Sequence, residues 1–343
     1  SSTASVTLGA YASAAGITKI TGIAGTANTI NAAAMSAGLT VVASVSSATD
    51  ILTGGTGADT FVFSGTVGLQ AADVITGTSG ADVIQLDNSA GAVTAVIDLD
   101  NLATITNVTV KDNDGGNAAT AQAISLTVAA ITETTAQTMT IDGSAITDSN
   151  DTLTVAQNAT QSTTTLFNIT GGAGADTLAG MGAIDTITGG AGADSITGNV
   201  GADILTGGSG ADNFVYATTT DITSGSAGAS TASTSAKTDT ITDFVAGTDN
   251  IRFSPTLTGA QTVDFTDKGD AASISSGLAL LSGVAGEYFY NTGDSQLVVD
   301  VDGNGLIQAT DLIVNMTGET GFASTDMDLI VAVAAADHAQ VIT

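Results

Sequence analysis

Five aspartates in one glycine-rich stretch, residues 171–216, are spaced nine residues apart, and each ends a hexapeptide such as GGAGAD or GNVGAD. The stretch contains no lysine or arginine, so the carboxylates have no basic partner close in sequence. Carboxylates and the carbonyl groups of glycine turns suit a hard cation with six or more oxygen ligands, which describes Ca2+ better than Mg2+. The spacing therefore predicts calcium ligation. The aspartates are Asp176, Asp185, Asp194, Asp203 and Asp212.

The elements that must position these carboxylates follow from the apolar residue that lies two positions after each aspartate. Each nine-residue unit is therefore predicted to be a six-residue turn followed by a three-residue strand with one inward side chain. Strands this short are unstable alone, so consecutive units should alternate between two facing sheets, with two units per turn of a solenoid. Equivalent loops then stack: Asp176, Asp194 and Asp212 on one edge, Asp185 and Asp203 on the other.

A second, less regular cluster in residues 49–86 contains two aspartate pairs with the same nine-residue spacing, Asp50 with Asp59 and Asp73 with Asp82. We predict that the turn glycines contribute carbonyl ligands beside the aspartates of both clusters. The further predicted metal-site residues are Gly54, Gly55, Gly57, Gly171, Gly172, Gly174, Gly189, Gly190, Gly192, Gly198, Asn199, Gly201, Gly207, Gly208 and Gly210.

One repeat departs from the glycine pattern. Met181 and Ala183 stand where glycines are expected, so the site that pairs Asp185 with Asp203 is predicted to be weak or empty. Asn199 also replaces a glycine, which is tolerable because asparagine visits left-handed backbone conformations.

This pattern resembles the nonapeptide GGxGxDxUx of RTX proteins, which Gram-negative bacteria secrete. The resemblance is strong over 171–216 and weaker over 49–62 and 72–86. Residues 237–253 and 294–318 resemble the segment that follows the repeats in RTX proteases and surface-layer proteins. The resemblance implies a calcium-binding β-roll whose end is capped by the last segment.

We therefore predict an all-β fold: a right-handed parallel β-roll or β-solenoid with RTX calcium-binding turns and strand-rich flanking segments. Its expected parts are an irregular β segment (1–48), the first RTX-like turns (49–86), a β-solenoid or sandwich segment (87–168), the RTX β-roll (169–216), a loop (217–238) and a C-terminal capping segment with a type I secretion signal (239–343). A short helix is also expected around 31–38.

Two further stretches carry carboxylates. Residues 300–311, DVDGNGLIQATD, fit the ligand spacing of an EF-hand loop, but their flanks are strand-like, so a hairpin turn is favoured over a calcium site. Residues 110–117, VKDNDGGN, are a weaker calcium candidate.

Composition limits the function. The net charge of −29 disfavours nucleic acid or an anionic membrane as a partner, and no apolar stretch is long enough to span a bilayer. The one histidine, His338, cannot build HExxH or a three-histidine zinc site, and a serine triad would depend on that same residue near the chain end. A glycosidase-type carboxylate pair is not excluded by residue type, but aromatic sugar platforms are scarce. No enzymatic activity is predicted.

Low aromatic content, high Ala/Thr/Gly/Ser and interleaved calcium motifs resemble the C-terminal part of Gram-negative S-layer proteins. The resemblance implies a calcium-dependent structural protein that leaves the cell through type I secretion machinery, using a signal near 326–333. It would self-assemble into a homo-oligomeric lattice at the cell surface, beside cell-surface polysaccharide. The alternative is the secretion and folding half of an adhesin or extracellular enzyme whose functional domain is missing.

Overall fold

The computed structural model describes residues 4–43, 48–65, 68–88, 91–97, 102–103, 105–112, 121–129, 137–157, 164–216, 238–253, 266–273, 276–277, 279–282, 284, 287–300, 312–319, 322 and 326–329. In these ranges the chain forms mostly β-strands, with a short helical turn, α1 (Tyr11–Ala14). It divides into two compact units, Ser1–Asp212 and Asn213–Thr343. The predicted all-β fold is confirmed.

The first unit is a solenoid of parallel strands, since successive strands fall in different sheets. One sheet contains, in spatial order, β2 (Lys19–Thr21), β4 (Thr40–Val42), β6 (Thr60–Ser64), β8 (Val83–Asp87), β11 (Asn107–Lys111), β13 (Gln137–Asp142), β15 (Thr165–Thr170), β17 (Thr186–Ala191) and β19 (Ile204–Ser209). The intervening strands form two further sheets. The first holds β1 (Ala4–Thr7), β3 (Asn28–Asn31), β5 (Ile51–Thr53), β7 (Val74–Thr76) and β10 (Leu102–Ala103). The second holds β9 (Val93–Ile97), β12 (Ala123–Val128), β14 (Thr152–Gln157), β16 (Thr177–Ala179) and β18 (Ser195–Thr197).

The predicted two-unit turn is present in the long repeat stretch, where Thr177 pairs with Ser195 and Thr186 with Ile204. The apolar residue of each repeat is buried and stacks on its neighbour one turn along, because successive side chains of a strand point to opposite faces. β16 and β18 have the predicted three residues, whereas β17 and β19 have six and continue into the glycines of the next turn. The stacked pairs are Leu178 with Ile196 and Ile187 with Leu205.

The strands between the two aspartate clusters continue the same winding. β11, β13 and β15 pair in parallel, as do β9, β12 and β14, which is the arrangement of a solenoid rather than a sandwich. The prediction of a short helix around 31–38 is wrong. Residue Asn31 ends β3, and a turn follows in which the Met35 N–H donates to the Ala32 carbonyl. Both side chains are buried there, so packing overrides the alanine-rich local preference for helix.

The second unit combines parallel and antiparallel strands. β20 (Asn213–Tyr216), β22 (Asn250–Phe253) and β27 (Met327–Leu329) pair in parallel. A second set contains, in order, β21 (Thr240–Ile241), β26 (Leu312–Met316), β25 (Gln296–Asp300), β24 (Glu287–Asn291) and β23 (Thr266–Ala271). Both β24 and β25 are buried at every position.

The strands on either side of residues 301–311, β25 and β26, pair antiparallel, as the predicted hairpin requires. Outside the described residues lie 301–311, residues 217–237 of the predicted loop, residues 330–333 of the predicted secretion signal, and His338. No helix in the described ranges is long and apolar enough to cross a membrane.

Candidate metal centre in the stacked loops

The five evenly spaced aspartates form two ladders, one on each edge of the solenoid. On the first edge, the Asp176 N–H donates to Asp194 Oδ1 at 2.8 Å, and the Asp194 N–H donates to Asp212 Oδ1 at 2.9 Å. On the second edge, the Asp185 N–H donates to Asp203 Oδ1 at 2.8 Å. Each carboxylate therefore joins its own turn to the one before it.

The less regular cluster in residues 49–86, called the weaker cluster from here on, forms the same kind of ladder over longer turns. Asp50 donates its N–H to Asp73 Oδ1, and Asp59 donates to Asp82 Oδ1, each at 2.8 Å and across 23 residues rather than 18. The extra length lies between β6 and β7. The four aspartates predicted from this cluster are thus brought together in pairs.

Sequence reasoning missed two buried residues that make contacts of the same kind. Asn28 donates its N–H to Asp50 Oδ1 at 2.8 Å and so ends the ladder of the weaker cluster. Asp151, fully buried, accepts the Gln122 N–H at 2.8 Å. The signal that could have found Asp151 is the apolar Leu153 two positions later, the same offset as in the repeats.

In some loops, which we call closed, both oxygens of the aspartate carboxylate accept backbone hydrogen bonds. In these, the second carboxylate oxygen accepts the N–H of the residue four positions earlier: Gly55 donates to Asp59, Gly172 to Asp176 and Met181 to Asp185, at 2.5 to 2.6 Å. Both oxygens of such a carboxylate are satisfied by backbone donors. These loops are well formed without any further ligand.

Other loops remain open. Asp82 and Asp194 are buried, yet within the described part of the chain no hydrogen bond reaches the Oδ2 atom of either one. In the loop of Asp194, Gly190 and Gly192 have φ values of 115° and 116°, a region that residues with a Cβ rarely adopt. An orphaned carboxylate oxygen in a buried loop is costly unless a ligand meets it.

The glycines in the loop of Asp194 have no space for a side chain. A Cβ at Gly190 would lie 2.3 Å from the Gly172 carbonyl oxygen, and one at Gly192 would lie 2.4 Å from the Gly174 carbonyl oxygen. A Cβ at Gly189 would lie 2.3 Å from Asp194 Oδ2. Carbonyl and carboxylate oxygens therefore crowd the space between adjacent loops, as a calcium site requires.

Electrostatics point to the same ligand. Burial, together with the negative charges of Asp176 and Asp212, raises the pKa of Asp194 to about 7. Burial also raises the pKa of Asp185 to about 6, and it raises the pKa values of Asp59, Asp73, Asp82 and Asp176. A divalent cation between the loops would offset these costs, so the residues of the open loops fit Ca2+.

These shifts predict opposite pH dependence with and without calcium. In chelator, the folded carboxylate of Asp194 holds its proton up to about pH 7, whereas its usual pKa is 3.8. The folded state then binds more protons between those values, so the free energy of unfolding should fall as pH rises from 4 to 7. In calcium it should rise over the same range, because the ion needs the deprotonated form. Urea unfolding at pH 5 and pH 7.5 in both conditions measures this; parallel trends would contradict it.

A separate carboxylate cluster includes part of the weaker candidate at 110–117. Carboxylate oxygens of Asp112, Asp148 and Asp151 lie within 4.8 Å of one another. The Asn88 amide nitrogen lies 3.3 Å from Asp112 Oδ1 and 3.4 Å from Asp151 Oδ2, which joins two of them. Residues 113–117 are outside the described residues.

Two family models match the parts of the chain that contain the two aspartate clusters. The family model described as Peptidase M10 serralysin C terminal matches residues 154–331, which include the long repeat stretch and most of the second unit. The model described as RTX calcium-binding nonapeptide repeat matches residues 46–62 and 67–90, which include the weaker cluster. No curated protein matches the chain significantly. RTX nonapeptide repeats bind Ca2+, so the prediction of calcium as the bound ion is confirmed.

Proposed function

The chain belongs to the family described as Peptidase M10 serralysin C terminal, and on that premise we propose that it is a non-catalytic structural protein of the bacterial surface that assembles into an S-layer lattice. The coarser statement is established: the chain is a secreted, calcium-binding RTX protein. The matched family is a non-catalytic domain, which supports the structural role, and it is associated with type I secretion. We also propose cell-surface polysaccharide as a neighbour of the lattice.

The mechanism that we propose couples export to folding. Where calcium is scarce, the acidic carboxylates of the open loops repel one another, which lowers the free energy of unfolding and favours an unfolded chain during passage through the secretion machinery. Outside the cell, calcium occupies the loops and the ladders form. Ligation and folding are then one event.

Self-association is supported by the edge strands of the first unit. In the described part of the chain, β1 pairs with β3 alone and β2 with β4 alone, so each strand offers backbone groups on its other side. Three apolar side chains are exposed near this edge: Val6, Tyr11 and Ile23. An exposed strand edge with apolar neighbours is a template for pairing with another chain.

The observation that carries the proposal is the charge of this edge. The chain has a net charge of −29, yet residues 1–49 contain Lys19 and no aspartate or glutamate. Two copies of so acidic a protein repel each other over most of their length. The acid-free edge is where they can approach, so we expect it to form a contact between copies.

Negative-stain electron microscopy in millimolar calcium and in excess chelator tests the proposal. We expect ordered two-dimensional arrays only with calcium. Tyr11→Asp should abolish the arrays, because the side chain is 89% exposed and its replacement adds charge to the edge without disturbing a core. Val245→Asp, at a 51% exposed position of the second unit, is the matched control and should leave the arrays intact.

A second function is favoured by one observation, the description of the matched family as the C-terminal part of a peptidase. The chain would then be the secretion and folding half of a larger adhesin or enzyme. This candidate predicts dispersed particles in the microscope under both conditions, and monomers loaded with calcium when calcium is present, which would contradict the lattice proposal.

A further inference from the structure

Thr78, in the loop of Asp82, has a left-handed backbone with a φ of 76°. In three other loops with a positive φ at this place, four residues before the ladder aspartate, the residue is Gly190, Asn199 or Gly208. Glycine adopts a left-handed φ freely, and asparagine tolerates it. Threonine is β-branched, and its Cβ makes the same conformation costly. Among these four loops, the strain therefore falls on the loop of Asp82.

Close stacking on the loop one turn earlier holds Thr78 in this conformation. A Cβ at Gly80 would overlap the Gly57 carbonyl oxygen, so the backbones of the two loops are in contact. The Thr78 hydroxyl donates to the Gly54 carbonyl oxygen at 3.1 Å. Strained backbone persists where the surrounding structure holds it, and such positions cluster at ligand sites.

The loop of Asp59 shows a conformation without this strain. In that closed loop, the Gly55 N–H donates to Asp59 Oδ2 at 2.6 Å, and the φ of Gly55 is not left-handed. The corresponding groups in the loop 77–82 are the Thr78 N–H and Asp82 Oδ2. Asp82 is 2% exposed, and its Oδ2 accepts no hydrogen bond from the described part of the chain. Rotation of Thr78 to a negative φ would relieve the strain and give this oxygen a donor, so closing the loop needs no ion.

Met181 shows that a residue with a side chain takes the closed form. Its N–H donates to Asp185 Oδ2 at 2.5 Å, and its φ is not positive. Glycine occurs at this place in both forms, because Gly172 belongs to a closed loop and Gly190 to an open one. A threonine here therefore favours the closed form, whereas a glycine permits either.

We infer that Thr78 weakens calcium binding by the loop 77–82, so that this loop fills at a higher calcium concentration than the glycine loop 189–194. Without calcium, the loop 77–82 closes, with the Thr78 N–H on Asp82 Oδ2. Opening then carries the cost of a left-handed threonine, and the apparent affinity falls with the fraction of loops that are open. The long repeat stretch is thus occupied first and the weaker cluster last. The inference rests on calcium binding by the open loops and not on lattice formation.

Hydrogen exchange of the full chain, followed by mass spectrometry over a calcium titration, tests the inference because it reports each loop separately. In the wild type, the segment 77–82 should gain protection at a higher calcium concentration than 189–194. Thr78→Gly should lower the calcium midpoint of 77–82 about tenfold, the ratio that ~1.4 kcal/mol of strain produces. The midpoint of 189–194 should not move, which also confirms that the variant is folded.

Two control variants separate backbone strain from other effects. Thr78→Val keeps the β-branch and removes the hydroxyl, so it should bind calcium no more tightly than the wild type. Ser79→Gly adds the same flexibility at the next residue, whose φ is not positive, and it should not lower the midpoint of 77–82. A lower midpoint in either control would overturn the inference, because the hydroxyl or general flexibility would then set the affinity.

The remaining outcomes distinguish this inference from the other claims. A calcium response in which Thr78→Gly keeps the wild-type midpoint would overturn the inference alone. If neither segment gains protection with calcium, calcium binding by the loops is contradicted and the inference fails with it. Each result is read from the soluble chain, so it is separate from the outcome of the lattice experiment.

Discussion

Transfer of the chain from about 1 mM calcium into excess chelator at pH 8 should lower the free energy of unfolding by about 3 kcal/mol or more. The first edge of the β-roll has two gaps between loops, and a site of Kd ~10⁻⁴ M contributes roughly 1.4 kcal/mol at that concentration. A loss of this size is a large part of the stability of a typical domain. Urea unfolding followed by circular dichroism measures it.

Magnesium is the control for this prediction. It requires a tight octahedron and retains its waters, so it should restore little of the stability lost in chelator. Equal unfolding midpoints in calcium and chelator would contradict the account, since the carboxylates would then be tolerated in the fold without a cation. Equal rescue by magnesium would show that general charge screening, rather than ligation in the loops, stabilises the chain.

Gly192→Ala should destabilise the first unit by about 3 kcal/mol or more and remove calcium from its loop. The new Cβ would lie 2.4 Å from the Gly174 carbonyl oxygen, at a φ of 116°. Backbone atoms cannot rotate away as a flexible side chain can, so the two loops must separate. Unfolding experiments and ion counts on the variant check both effects.

Gly16→Ala is the matched control. Gly16 also has a positive φ, 73°, but a Cβ there would meet nothing within 4 Å. Its replacement should cost only backbone strain, about 1 kcal/mol. If the two variants lost equal stability, the close stacking of loops would not be what the glycines provide.

The periodic part of the fold could be predicted because one rule sets it. A constant spacing of aspartates with an apolar residue two positions later fixes the length of a turn, and the turn length fixes which loops stack. The ladders of Asp176, Asp194 and Asp212 and of Asp185 and Asp203 follow from that rule.

The remaining features depend on backbone conformations and long-range contacts that the repeat pattern does not determine. Glycine permits both signs of φ, so the closed loop of Asp176 and the open loop of Asp194 have the same letters, GGAGAD, but different backbones. The longer turns of the weaker cluster arise from inserted residues that break the period. Asn28 and Asp151 lie outside any glycine repeat, and only the folded chain shows the hydrogen bonds that they make between turns.

The central claim is that calcium binds between the stacked loops of the first edge, against the orphaned carboxylate oxygen of Asp194. A crystal structure of the full chain grown in calcium, repeated with terbium and anomalous diffraction data, tests it most directly. The account predicts an ion between loops 171–176 and 189–194, about 2.4 Å from Asp194 Oδ2. Well-ordered loops with no anomalous peak at that position would contradict it.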